Sequence, residues 1–480
     1  MAKNYEMDLT RGPLLKKLLI FALPIVGINV LQLLFSTVDK IVLGKFVANA
    51  TVANLAVGAV GATGSIINLI IGFFIGLSLS SNILIARVVG ARDAEKAKRY
   101  IGTSIAISLI FGFAIMIGGY FGAETFLRWT GCKEELLALA TKYLKIYCLG
   151  MPVIMVYNFA ASILRAVGDT LRPLIYLIIG GVVNVGLNIF FVTTFGMDVE
   201  GVAIATVASQ LVAGVLSLIS LIRSKGYGKL EAKSFRIYKK EFLEILKIGL
   251  PLGVSKCLFS FSNVVMQSSL NSLGEIVTTG SSVGSEFDLY IGEVLHAFST
   301  ASLSFVSQNV GAKNLNRVKK SIAYTILMAV IVSVVLAGII SLFAKPLCLM
   351  IINASDPNAN EILKYACLRI YLVGNTLVFC GIMNALQEPL KAMGKAFTAM
   401  IITLLGSCVF RVLWIKTIFD IWFSNSVIAI YLVYPVSWLL TSATLLIFTI
   451  SAFKKLKKQF EQETEKATGE TTVQISKDNN

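Results

Sequence analysis

Asn29, Gln32, Ser36 and Asp39 follow one another at intervals of three, four and three residues. That spacing places all four on one face of a helix, in a segment that is apolar from Leu18 onward. A carboxylate ending such a stripe has two chemistries open to it: it can take up a proton, or it can hold a hard cation together with amide and hydroxyl oxygens. Asn184 and Asn188, an i,i+4 pair, and the nearby Thr206 offer oxygens of that kind further along the chain. A second polar group, Glu286, Asp288, Glu293 and His296, interrupts "GSEFDLYIGEVLHAFSTASLSF". Glu286, Glu293 and His296 fall within an arc of about 80° on one helix. They can wall a cavity that attracts a cationic compound, with the single histidine exchanging a proton, or they can form a structural network neutralised by Arg369 or Arg411. Phe259 and Met266 are candidate apolar walls of the same cavity, and Lys256 either snorkels to an interface or repels cations.

The elements that must carry these residues are membrane helices. Apolar residues make up 56% of the chain and charged ones 15%, and the mean hydropathy is +0.78, values outside the range of soluble globular proteins. Windows long enough to cross about 30 Å of hydrocarbon number roughly twelve, the first beginning near residue 17 and the last ending near 450. The net charge of +16 would suggest nucleic acid in a soluble protein. Here about 31 of the 43 Lys and Arg residues fall in alternate loops and the two termini, so the charge records topology, with both termini cytoplasmic, and excludes a nucleic-acid partner. The first apolar run contains Pro24 and no small-residue cleavage site, and is expected to remain as helix 1.

The chain repeats itself. "FALPIVG" returns as "IGLPLGV", "RVVGARDAEKAKR" as "QNVGAKNLNRVKK", "YLKIYCLG" as "CLRIYLVG" and "LRAVGDT" as "LKAMGKA". The expected organisation is an all-α polytopic membrane protein: an N-terminus at 1–16, an N-lobe of helices 1–6 at 17–222, a basic linker at 223–243, a C-lobe of helices 7–12 at 244–450, and a tail at 451–480 disordered beyond its first turn or two. Six is even, so the two bundles should be related by a pseudo-twofold axis along the membrane normal, with an alternating-access cavity between them. The polar stripe is not repeated. Asp39 corresponds to Met266, Gln32 to Phe259, Asn184 to Phe410 and Asn188 to Trp414, which places ion coupling in the N-lobe.

"TVDKIVLGKFV", "RVVGARD", "ILRAVGDTLRP", "FVSQNVGAKN" and "FRVLWI", in this order, resemble the multidrug and toxic compound extrusion (MATE) transporters, in particular their DinF-like branch. The resemblance implies a twelve-helix, two-lobe exporter that exchanges H+ or Na+ for small organic, often cationic, substrates; the protein is expected in the cell membrane, without a cofactor and as a monomer. It also implies that Asp39 is the helix-1 carboxylate, that helix 1 bends at Pro24, that Asn184 and Thr206 belong to the ion network, and that Tyr143 or Tyr147 accompanies them. Where many relatives carry a second helix-5 carboxylate this chain has Asn188, leaving one negative charge for a proton or for Na+ at Asp39. Acids of the kind the NorM-like branch carries on helices 7 and 10 have no match here. A lipid-linked oligosaccharide flippase of the same superfamily is the alternative, and an intramembrane enzyme using His296 is a reading of another class.

Overall fold

The computed structural model describes residues 6–46, 50–353 and 356–478; the side chains of Lys40, Ala50, Thr51, Ser260, Phe261 and 466–478 lie outside that description. Among the described residues twelve long helices form two six-helix lobes. The N-lobe contains α1 (Leu14–Phe46), α2 (Ala50–Gly90), α3 (Ala94–Trp129), α4 (Glu134–Leu149 and Met151–Ala166), α5 (Leu171–Phe195) and α6 (Val199–Arg223). The C-lobe contains α7 (Lys239–Asn271), α8 (Glu275–Gly311), α9 (Leu315–Leu342), α10 (Ala359–Ala392), α11 (Ala396–Trp422) and α12 (Val427–Asp478). α1 is continuous over Pro24, so in this conformation the expected bend is not a break. α4 turns by 52° at Gly150, where Pro152 has no N–H to give the preceding turn.

The duplication seen in the sequence reappears in backbone geometry. α2 and α8 end in the same cap: Arg92 (φ 61°) and Lys313 (φ 55°) are left-handed, Asp93 N bonds Val88 O at 3.0 Å, and Asn314 N bonds Asn309 O at 2.9 Å. Asp93 and Asn314 then cap α3 and α9 by accepting from the backbone N–H of Lys96 and Arg317. α4 and α10 end the same way, with Gly168 (φ 98°) and Gly394 (φ 87°) as the left-handed residues. All four caps lie on one face, to which residues 7–12 and Glu463 of α12 are also bonded.

On that basic face the lobes are sealed against each other. Residues 77–86 of α2 and 297–309 of α8 are buried on every side, whereas the opposite ends of both helices show alternating exposure. A Cβ on Gly90 would lie 1.9 Å from Gln308 O, and one on Gly311 would lie 1.9 Å from Arg87 O, so the two backbones are in direct contact. Gly76 of α2 abuts the backbone of Gly253 on α7 in the same manner. Leu18, Phe21 and Ile25 of α1 pack on Ala297, Phe298 and Phe305 of α8, with the Phe21 and Phe305 rings edge to face at 5.5 Å. Residues 7–12 strap across the seam: Leu9 N donates to Gln308 Oε1 at 3.2 Å, and the Arg317 guanidinium donates to the carbonyls of Leu9, Arg11 and Gly12.

Two expectations change. α7 begins at Lys239, inside the expected linker, and the rest of that linker is docked on α3, where Thr103 bonds Arg236 O and Tyr238 N and Lys98 pairs with Glu231 at 3.2 Å. Within the expected tail, α12 continues past the apolar run to Asp478, with i,i+4 partners Lys457–Glu461 and Gln459–Glu463, and Glu463 also pairs with Lys313 at 2.6 Å.

Gly90→Ala and Gly311→Ala should each destabilise this seal by about 1–3 kcal/mol, since the backbones must part to admit the methyl group. Electron–electron distance measurement between spin labels at Arg99→Cys and Lys320→Cys, in a background without other reactive cysteines, should show a longer basic-face separation in both variants. An unchanged distance distribution would show that the seal absorbs the methyl.

Candidate functional site

The packing of α1 on α5 sets the register of the N-lobe polar group. The ring of Phe35 occupies the space that a Cβ on Gly181 would need, and Gly180 lets α5 approach the backbone of Ser209 on α6. One turn beyond Phe35, Asp39 enters the space among α1, α5 and α6 and is 6% exposed. Its Oδ1 accepts from Asn188 Nδ2 at 2.6 Å, and its Oδ2 accepts from Thr206 Oγ1 at 3.3 Å. Asn188 Nδ2 also donates to Asn184 Oδ1 at 3.2 Å, and Asn184 Nδ2 donates to Thr206 Oγ1 at 3.4 Å. Among the described residues no cationic side chain pairs with Asp39.

Asn188 is fully buried, and its Oδ1 has no hydrogen-bond partner. A buried amide oxygen without a donor, next to a carboxylate without a counter-ion, is costly unless something positive joins them. The oxygens of Asp39, Asn184, Asn188 and Thr206 suit a hard monovalent cation, and the carboxylate alone suits a proton. Tyr143 and Tyr147 of α4 stack at 6.1 Å between centroids within electrostatic reach of Asp39, with no hydrogen bond from either to its carboxylate among the described contacts.

Between the lobes lies a cavity of about 380 Å³. Asn29, Gln32, Phe259, Glu293 and His296 line it, and Asn29 Nδ2 also bonds Glu293 O across the lobe boundary at 3.1 Å. Asp39 is not part of its wall, and α1 carries both the polar group around Asp39 and the cavity residues Asn29 and Gln32.

Three residues expected to line the cavity do not. Met266 is 1% exposed in the C-lobe core, because its side of α7 meets the lobe interior. Ser36 and Glu286 are exposed beyond the cavity, one or two turns further along their helices than the residues that do line it. The α8 cluster therefore divides. Glu293 and His296 face the cavity, whereas Asp288 pairs with Arg369 at 3.0 Å. Arg369 also lies over the rings of Tyr431 and Tyr434, so this pair braces α8, α10 and α12. Arg411 neutralises no acid: it is 1% exposed, donates to Ser437 Oγ at 3.0 Å, and sits over Tyr434, Trp438 and Phe259.

The sequence reading missed Arg165, Glu388 and Lys391, all of which line the cavity. Both bases belong to the Lys and Arg residues that the sequence places in alternate loops. The signal was available, since they occupy the same position in "LRAVGDT" and "LKAMGKA", a helix end that the repeat places at the seam twice.

The MatE family model matches residues 24–190 and 251–414, one match in each lobe. The Probable multidrug resistance protein YpnP of Bacillus subtilis is 28% identical over 394 residues, covering 80% of this chain and 86% of its own. The FAD transporter of Shewanella oneidensis is 22% identical over 348 residues, covering 70% of this chain and 76% of its own. A solved MOP superfamily transporter from Pyrococcus furiosus, described for the reverse polarity of its binding pocket, superposes with a TM-score of 0.86 at 22% identity, covering 95% of this chain and all of that one. With matches in both lobes, relatives that are transporters and not enzymes, and a fold shared across nearly its whole length, the chain belongs to the MatE family of membrane transporters.

Proposed function

We propose that this chain is a secondary active exporter of small organic compounds, in which H+ or Na+ at Asp39 is exchanged for a substrate held in the cavity between the lobes. The observation that carries this reading is the buried Asp39 carboxylate with neutral partners only, beside the unpartnered Asn188 Oδ1. A proton or Na+ there removes the penalty of a buried anion, and α1 connects the site to the cavity through Asn29 and Gln32. Binding at Asp39 then alters how α1 packs against α5 and α6. Pro24, lacking the N–H that would bond Ile20 O, is where the helix can yield. Coupling arises because the bound ion and the bound substrate favour different arrangements of α1.

The proposed topology puts the basic face, with both termini and the 223–243 linker, in the cytoplasm, and the lobes at 17–222 and 244–450. The seal on that face makes the conformation outward-open, the state from which substrate leaves and the ion enters. The protein acts as a monomer in the plasma membrane, since each chain contains both lobes and a complete cavity. Multidrug resistance and FAD transport are both named among its relatives, so the cavity lining decides the substrate class.

Efflux of a fluorescent compound, cationic ethidium or anionic riboflavin 5′-phosphate, from proteoliposomes under an imposed pH gradient, and separately under an imposed Na+ gradient, tests coupling. Wild type should respond to one of the two, and Asp39→Asn should lose about tenfold or more of the gradient-driven rate, corresponding to about 1.4 kcal/mol or more of coupling, while still equilibrating dye. An Asp39→Asn protein that pumps like wild type would exclude Asp39 as the coupling group. Asn188→Asp should add a second carboxylate where the unpartnered oxygen now lies. In thermal-unfolding assays its stabilisation by Na+ over K+ should exceed that of wild type, because charge count raises cation affinity. Equal Na+ effects on both proteins would argue that the site handles protons alone.

A further inference from the structure

Besides His296, the cavity wall carries five charged side chains: Arg165, Lys256, Glu293, Glu388 and Lys391. Bases outnumber acids, and the distribution matters more than the total. Lys391 and Glu388 form a buried pair at 2.7 Å in the C-lobe and largely cancel. The N-lobe position matching Glu388 in the repeat is Ser162. Arg165 therefore has a hydroxyl where Lys391 has a carboxylate: its Nη2 donates to Ser162 Oγ at 2.9 Å, and its Nε is buried without a hydrogen-bond partner. Among the described residues Arg165 makes no ion pair, and Lys256 of α7 lines the same space from the other lobe.

A guanidinium kept in a partly desolvated cavity without a counter-charge attracts an anion, and its planar fork matches carboxylate and phosphate oxygens. Ile25, Ile28, Leu79, Phe259 and Met383 supply an apolar wall to the same cavity. We propose that the cavity takes amphiphilic organic anions, with a phosphate or carboxylate head on Arg165, Lys256 and Lys391 contributing from the facing lobe, and the ring or chain of the compound along the apolar wall. This rests on the cavity being the transport site. It replaces the expectation of a cation drawn by the α8 acids, since Glu286 and Asp288 do not reach the cavity and only Glu293 does. The separation of Asp39 from the cavity lets a cation drive export of an anion, because the two charges need not share one site.

The test is gradient-free fluorescence binding to the full chain in phosphatidylcholine nanodiscs. Riboflavin 5′-phosphate and riboflavin differ only in the phosphate, and ethidium supplies a cation. Wild type should bind the phosphate about tenfold or more tightly than riboflavin, and Arg165→Gln should bring the two within about twofold while leaving riboflavin itself unchanged. Arg165→Lys should keep most of the preference, and Glu388→Gln, which frees Lys391, should increase it without touching Arg165. Loss of riboflavin 5′-phosphate binding in phosphatidylglycerol nanodiscs would support the anion site and assign a lipid headgroup as its occupant. Equal affinity of wild type for riboflavin and its phosphate, tighter binding of ethidium than of the phosphate, or an Arg165→Gln loss shared by all three probes would overturn the proposal. A phosphate preference in a protein that no ion gradient drives would sink the antiport reading and leave this one standing.

Discussion

The organisation of the molecule depends on the contact between two backbones where α2 and α8 end. Gly90 against Gln308 and Gly311 against Arg87 leave no room for a Cβ, and this closeness holds the basic face shut while the far ends of the same helices stand apart. With one end fixed, the space between the lobes becomes a cavity with a floor. The floor is built from the repeated helix end that contributes Arg165 from one lobe and Lys391 from the other. The two surfaces that meet are copies of one sequence motif, so a single backbone solution, a left-handed basic residue followed by a capping Asp93 or Asn314, serves both sides of the seam.

The duplication is symmetric in backbone and asymmetric in chemistry. The N-lobe places its carboxylate away from the cavity, among α1, α5 and α6, and leaves its cavity base without a carboxylate. The C-lobe differs at the matching positions: the counterparts of Asp39, Asn184 and Asn188 are Met266, Phe410 and Trp414, and Lys391, the counterpart of Arg165, is paired with Glu388. Its other buried charges are held by aromatic rings, as with Arg411, or by an ion pair, as with Arg369 and Asp288. Of the two cavity bases that match in the repeat, Lys391 has an acidic partner and Arg165, among the described residues, has the Ser162 hydroxyl.

Much of this was legible in the sequence. Apolar run lengths and the repeat determine the helices and their pairing, because a membrane helix must be about 20 residues long and a copied motif must solve the same local problem twice. The spacing of Asn184 and Asn188, and the loss of their counterparts in the second half, point to a polar group with Asp39. Helical spacing gives a face but not what the face meets. On that ground Met266 read as cavity wall and is core, Glu286 read as cavity wall and is exposed, and Arg165 read as a loop charge and lines the cavity. The helical tail was hidden for another reason: its support comes from charge pairs along the helix and from Lys313, which a search for apolar period does not register.

The strap formed by residues 7–12 has a consequence for how the protein is made. Leu9 depends for its backbone hydrogen bonds on Gln308, Asn309 and Arg317, side chains 299, 300 and 308 positions later. At about 5–20 residues per second of synthesis, those partners leave the ribosome roughly 15–60 s after the strap does. Residues 7–12 therefore cannot make these contacts until the end of α8 has been synthesised.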